Sequence, residues 1–106
     1  MQKMCIRDRD GDYSLYKDYV NSHAQKGVAA LCYNGEEKEL RVPCVCYGGK
    51  EDYSEQAKEL FDALRELDAL SAHTVYARCP EPKGVGLAVY NRLIRAAGFE
   101  VIKLAP

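Results

Sequence analysis

No apolar run in this sequence approaches the ~20 residues that a bilayer-spanning helix needs. The opening residues, MQKMCIRDRDGD, lack the apolar core of a secretion signal. The cytoplasm is the expected location. An excess of one charge is also missing, since 15 basic and 16 acidic residues leave a net charge of -1. That balance gives no general pull towards nucleic acid or an anionic membrane, and neither is an expected partner. Cysteine occurs five times, at Cys5, Cys32, Cys44, Cys46 and Cys79, but never as a CxxC pair. Zinc sites normally carry such a close ligand pair, so no metal is expected. Cys44 and Cys46 share a strand face, and reduced cysteine in such runs packs as a small apolar residue. Only two histidines are present. His23 falls on or beside an apolar helix face and His73 at a strand start. Neither has a Ser, Cys or Asp at a nucleophile spacing, so both are read as structural or solvated.

What is present is enough for one domain. The chain has 106 residues, 47% of them hydrophobic, and can bury a single core. Residues 1–12 show no clean period and end in the turn-like Asp10-Gly11-Asp12, giving either a weak first strand or a frayed tail. Ser14 is a candidate N-cap. Leu15, Tyr16, Tyr19, Val20, His23 and Ala24 then draw one apolar helical face, which Gly27 stops. VAALCY (28–33) and RVPCVCY (41–47) read as strands, with Pro43 placed at a strand start or on an edge. The link between them opens with Asn34-Gly35 and is short enough for a hairpin; their pairing stays open at this level. Its acidic run, Glu36, Glu37 and Glu39, reads as a solvated loop. The helix over 52–70 has Ser54 as candidate cap and a stripe of Ala57, Leu60, Phe61, Leu64 and Leu67. A strand (72–79), a loop (80–86), a helix (86–97) and a strand (99–104) complete the chain. Strands alternating with helices predict a three-layer α/β fold with a largely parallel sheet.

The stretch CPEPKGVGLAVYNRLIRAAG, 79–98, carries the main functional question. A glycine-rich turn after a strand can present backbone N–H groups to an anion at a helix start. Gly84 and Gly86 fit that description. The stretch is nevertheless neither GxGxxG nor a P-loop, which leaves the phosphate reading weak. The helix has two apolar stripes, Leu87-Tyr90-Ile94-Ala97 and Val89-Leu93-Ala96, with Asn91, Arg92 and Arg95 gathered on one side. Such a helix is covered on more than its sheet side. It is therefore either a core helix with a polar edge or an interdomain surface with those three residues as polar contacts.

ELFDALRELDAL followed by HTVYARCPEPKGVGLAVYNRLIRAAG resembles the C-terminal domain of two-domain L-threonylcarbamoyladenylate synthases. The shared features are a helix with LFxxLRxxD, a strand, a Pro/Gly loop and an AxxNRLxxAA helix. The match is close over 60–68 and 79–97 and extends from about residue 11 to the end. The resemblance implies a Rossmann-like domain of an enzyme that makes threonylcarbamoyl-adenylate from L-threonine, bicarbonate and ATP. Its product serves modification of adenosine 37 in tRNAs. It also implies that the chemistry, with ATP and magnesium, belongs to an N-terminal YrdC-like domain reached by a linker with a His-Tyr-Ala-Pro-type motif. Neither is found in this sequence, so no family catalytic residue transfers to it. The expected cofactor of this chain is none. Residues 1–10 look like a foreign start replacing the linker and first strand, which would leave a sheet position open to pairing; residues 11–106 would be the domain. The expected role is accessory and inactive alone, with the YrdC-like domain as partner and other tRNA-modification proteins as further candidates. Two other classes stand beside it: an independent nucleotide- or phosphate-binding module using the 80–86 loop, and a pure protein-interaction module.

Overall fold

Every paired strand in the sheet runs parallel to its neighbours, so each connection must cross a face of the sheet and cover it. The computed structural model describes residues 1–8 and 13–104. Strand β1 (Gln2–Asp8) leads to helix α1 (Tyr13–Ser22) and β2 (Val28–Cys32). A 3₁₀ turn (Glu36–Glu39) leads to β3 (Cys44–Cys46), followed by α2 (Tyr53–Ala69) and β4 (Thr74–Ala77). Helix α3 (Gly86–Asn91) continues through Arg92–Ala96 as a wider π-type turn into β5 (Glu100–Leu104). The order across the sheet is β3-β2-β4-β1-β5, with parallel registers at all four interfaces. The three-layer α/β expectation holds, and the sheet is parallel throughout the described residues.

Two apolar layers form on the two faces. Leu60, Ala63 and Leu67 of α2, with Val89 of α3 and Leu93 of its π-type continuation, pack on Ala29, Leu31, Val75, Ala77 and Cys5. Tyr16 and Val20 of α1 and Val42 pack on Val28, Ala30, Cys32, Tyr76 and Ile6. The β2 run VAALC is buried along its whole length, because its alternate residues serve both layers. Cys44 and Cys46 do share a face, the α1 side. The Cys46 thiol donates a hydrogen bond to the Glu37 carboxylate at 2.8 Å. Burial together with that carboxylate pushes the Cys46 thiol up to about 11.

The structure departs from sequence expectation at several points. The β2–β3 pair is parallel, not a hairpin. Asn34-Gly35 does make a turn, with Gly35 at φ 93°, but it opens a 3₁₀ crossover, the tightest helical way to carry the chain back over the face. Pro43 stands just before β3, an edge strand, and its carbonyl accepts Ala30 N–H at 2.9 Å; its missing donor thus costs no ladder bond. Ser14 lies inside α1, and α2 is capped by Asp52, whose side chain accepts Glu55 N–H at 3.0 Å. The reason is reach: a cap must precede the first turn, and Ser54 is already within it. The buried stripe of α2 includes Gln56 and Ala63, whereas Phe61 is 47% exposed. Residues 2–8 form β1, paired with β4 on one side and β5 on the other. The expected turn at Asp10-Gly11-Asp12 lies outside the described residues.

The consecutive residues Leu60 and Phe61 test this packing. Leu60 is 0% exposed, so Leu60→Ala is expected to lower unfolding free energy by about 2–5 kcal/mol. Phe61→Ala should cost much less, near the surface range of about 0.5 kcal/mol. Urea denaturation of both variants decides it. Equal losses would mean that α2 is rotated about its axis relative to this structure.

Candidate functional site

In an open parallel sheet, a crevice forms outside the strand carboxyl ends where neighbouring strands send their connections to opposite faces. Strands β2 and β4 are such neighbours. The connection after β2 passes on the α1 side: Tyr13 Oη donates to the Glu36 carbonyl at 3.0 Å, and Asn21 Nδ2 donates to the Glu39 carbonyl at 3.0 Å. The connection after β4 leads to α3 on the other side. The residues that immediately follow the two strands, Tyr33 and Arg78, therefore meet at the crevice.

Arg78 is 6% exposed. Its Nε donates to both Glu36 carboxylate oxygens, at 3.3 and 3.2 Å. Its guanidinium carbon lies 5.4, 5.7 and 5.2 Å from the ring centres of Tyr13, Tyr16 and Tyr33, a geometry in which ring faces stabilise a cation. Tyr47 Oη donates to the Arg78 carbonyl at 2.5 Å, and Arg78 N–H donates to the Leu31 carbonyl at 2.8 Å. The acidic run is thus not a solvated loop. Glu36 holds Arg78, Glu37 accepts a hydrogen bond from the Cys46 thiol, and Glu39 pairs with Lys17 at 3.5 Å. One buried donor beside the crevice, Arg78 Nη2, has no hydrogen-bond partner among the described residues. The Tyr33 hydroxyl lies within weak hydrogen-bonding reach of the Tyr47 oxygen, whose own proton goes to the Arg78 carbonyl. In the adjoining thiol pair the hydrogen bond with Cys79, together with burial, pushes the Cys5 thiol up, while the same bond holds Cys79 down.

The cleft measures about 290 Å³, with Tyr33 and Arg78 joined by Lys50, Glu51, Tyr53 and Glu81. Its wall at Lys50 is fixed from α2. The buried Gln56 Nε2 donates to the Gly49 and Lys50 carbonyls at 2.7 and 3.0 Å, and Glu55 accepts Gly49 N–H at 2.9 Å.

The glycine-rich stretch is arranged differently. Gly84 is exposed at φ +60°, a left-handed turn that glycine adopts without penalty. Gly86 is buried, and a Cβ there would lie 2.9 Å from the Glu81 carbonyl oxygen and 3.2 Å from the Tyr53 ring. That position faces an acceptor, where an anion would need donors. Asn91 is half-buried, and Arg92 and Arg95 are exposed. Arg92 Nη1 donates weakly to the Ala57 carbonyl of α2 at 3.4 Å. The buried stripe of α3 is Gly86-Val89-Leu93-Ala97, while Leu87 and Ala96 face outward. His23 stacks on Tyr19 and its Nδ1 lies 2.7 Å from the Tyr19 carbonyl; His73 is exposed. Sequence reasoning missed Tyr33, Glu36 and Arg78. The available signal was one residue type, an arginine placed directly after the apolar strand run VYA.

The Glu36–Arg78 pair makes stability depend on pH in a defined direction. Burial, the largest influence, raises the Glu36 carboxyl above 4.5 despite the opposing pull of Tyr33 N–H and Arg78. The folded state then holds the proton more readily than the unfolded state. Stability from this group therefore declines as pH rises from 4.5 through its higher folded value. Glu36→Gln is expected to flatten that slope. It should also lower stability at neutral pH by about 3–5 kcal/mol, because Arg78 is left buried without its partner. Urea unfolding across a pH series measures both; an unchanged slope would mean that Glu36 titrates as a solvated carboxylate.

Comparison with known proteins places this geometry. Residues 4–98 match the family described as threonylcarbamoyl-AMP synthase, C-terminal domain. The threonylcarbamoyl-AMP synthase of Pyrococcus abyssi is 46% identical over 50 residues, which are 47% of this chain and 15% of that protein. The Bacillus subtilis protein of the same name is 45% identical over 47 residues, 44% of this chain and 14% of that one. Among solved structures, a double-substitution variant of P. abyssi Sua5 superposes with a TM-score of 0.73 at 28% identity, covering 97% of this chain and 31% of that one. P. abyssi Sua5 complexed with L-threonine gives 0.68 at 27%, over 97% of this chain and 30% of that chain. The C-terminal Sua5 domain from Pyrococcus horikoshii gives 0.63 at 25%, over 97% of both chains. The chain spans less than a third of the full-length relatives it matches. It belongs to the family of threonylcarbamoyl-AMP synthase C-terminal domains.

Proposed function

We propose that this domain is an accessory part of a threonylcarbamoyl-AMP synthase, docked against a YrdC-like catalytic domain and positioning the linker that reaches over that domain's active site. The observation that carries the reading is one of extent. The chain superposes on 97% of an isolated C-terminal Sua5 domain but on only 31% of the P. abyssi protein. The parent reaction would join L-threonine, bicarbonate and ATP into threonylcarbamoyl-adenylate with release of pyrophosphate, for modification of adenosine 37 in tRNAs. ATP and magnesium would be held by the catalytic domain, and the setting would be cytoplasmic. No residue of this chain matches a catalytic motif of that family, so the chain alone is expected to release no pyrophosphate from ATP with L-threonine and bicarbonate.

The outer side of α3 is the proposed contact face. Leu87 is 41% exposed, and Arg92 and Arg95 stand exposed on the same helix and its continuation. An apolar residue rimmed by arginines and a half-buried Asn91 suits a moderately polar interdomain interface. In an intact two-domain relative, glutamate at the positions matching Arg92 and Arg95 is expected to loosen docking. Hydrogen exchange at the domain boundary should speed up, and pyrophosphate release should fall several-fold. Unchanged exchange together with unchanged activity would remove α3 from the interface.

A further inference from the structure

Three cysteines gather on the α1 side at one edge of the sheet. Cys32 ends β2, and Cys44 and Cys46 lie on β3, the edge strand beside it. Cys32 and Cys46 are register partners across the parallel β2–β3 pair, and their sulfurs are 3.9 Å apart. Register partners on neighbouring strands are separated by about 4.8 Å. That spacing lies inside the range of about 4.4–6.8 Å found between the Cα atoms of a disulfide. Both side chains leave the sheet on the same face, so closing the gap asks for side-chain rotation and not for backbone movement. The other thiol pairings are offset. Cys5 is in register with Ala77, two residues short of Cys79, and Cys44 is in register with Ala30, two residues short of Cys32. Two residues along a strand add roughly 6.6 Å, which carries those Cα atoms past the bridging limit of about 7 Å.

Access to the two sulfurs is unequal. Cys32 is 0% exposed, while Cys46 is half-buried on the edge strand. An outer thiol can meet a reagent, and the inner thiol can then complete the bond. Among the described residues no three His, Cys, Asp or Glu side chains are arranged to hold a metal ion, so the cluster offers thiol chemistry. We infer that Cys32 and Cys46 form a reversible disulfide by exchange with a low-molecular-weight disulfide, which makes β3 a redox-sensitive edge. The deprotonated Cys46 sulfur attacks one sulfur of the external RSSR. A mixed Cys46–SR disulfide forms, the RSSR bond breaks, and RS⁻ leaves and takes up a proton. The Cys32 sulfur then attacks the Cys46 sulfur, expels the second RS⁻ and closes the Cys32–Cys46 bond. Two protein thiols are oxidised, one RSSR is reduced to two RSH, and the two thiol protons end on those products. The Glu37 carboxylate acts as a brake, because it accepts the Cys46 S–H at 2.8 Å and only a thiolate attacks. The other titratable groups facing the pair are Cys44 on β3 and Tyr13 and Tyr16 on α1. This pair lies away from α3 and is independent of the docking proposal.

The test incubates the whole chain, well below its melting temperature, in buffers of graded oxidised-to-reduced glutathione ratio. The samples are quenched with acid, alkylated and mapped by peptide mass spectrometry. The Cys32–Cys46 bridge is expected to appear as the ratio rises, and excess dithiothreitol should return both thiols. Cys5 and Cys79 should remain unbridged throughout. The bridge closes a short loop between β2 and β3, so the oxidised chain is expected to melt roughly 4 °C higher than the reduced one. Cys46→Ser keeps a hydroxyl donor for Glu37 and should melt close to the reduced parent, with no shift on oxidation. Glu37→Gln should form the bridge several-fold faster at neutral pH, because the thiolate is no longer opposed by a carboxylate. Three outcomes would overturn the inference: Cys32 and Cys46 still free at excess oxidised glutathione, a bridge joining any other pair, or a bridge that forms only under conditions that also open buried Cys5 to alkylation.

Discussion

One buried cation ties the two halves of this sheet together. Arg78 follows β4, the middle strand, and its side chain turns towards the α1 side. There it meets Glu36 from the β2 crossover and the rings of Tyr13 and Tyr16 from α1. Its backbone faces the other way in function, accepting the Tyr47 hydroxyl proton at the end of β3 and donating to Leu31 of β2. A charge this buried is costly unless nearly every part of it is answered. The answers come from segments far apart in sequence, so the arginine forms its contacts only when α1, the crossover and β4 are all in place. That makes it a register mark for the α1 layer, a role often better founded for buried ions than net stabilisation.

The all-parallel arrangement explains why the crossover must be built as it is. Between β2 and β3 the chain has little length in which to reverse direction and return alongside. A 3₁₀ turn, the Gly35 left-handed entry and the Pro43 carbonyl on Ala30 accomplish the return. A turn so short has almost no apolar surface of its own, and none of its residues is buried. It is held by polar ties instead: Glu36 to Arg78, Glu37 to the Cys46 thiol, and the Glu39 carbonyl to Asn21. The acidic composition of this segment is therefore a consequence of its job as a clamp on three neighbours.

What could be read from the sequence follows from the range of the interactions concerned. Helical and strand periods are local, and the alternation of elements, the Tyr16–Val20 part of the α1 face, the long α2 helix and the parallel three-layer class were legible, while Ala24 lies beyond the end of α1 and is exposed. Errors of position arose where two local choices were chemically equivalent. Asp52 and Ser54 are both good caps, and only the start of the helix distinguishes them. Phe61 and Ala63 lie at the margins of one stripe, and the tilt of α2 on the sheet decides which is covered. The β2–β3 pairing was not legible, because parallel and antiparallel pairing use the same strand residues and differ only in the path of the link. Arg78 and Tyr33 were not legible as a pair either. Nothing in their spacing joins them until β2 and β4 are neighbours, and that adjacency depends on a crossover through α2.

The same contrast separates the two places where a ligand was sought. The glycine turn at 84–86 has a sequence that invites an anion, yet its buried glycine is spent on close approach to the Glu81 carbonyl. Glycine there is explained by packing alone, and a side chain would collide whether or not any ligand existed. The crevice at β2 and β4 has no motif, yet it is there that a buried arginine is held by Glu36 and three tyrosine rings. The crevice opens at the carboxyl ends of the strands, while Leu87, Arg92 and Arg95 belong to the outer layer on one face. The residues of the crevice and those of the outer α3 face are therefore different side chains in different layers of the fold.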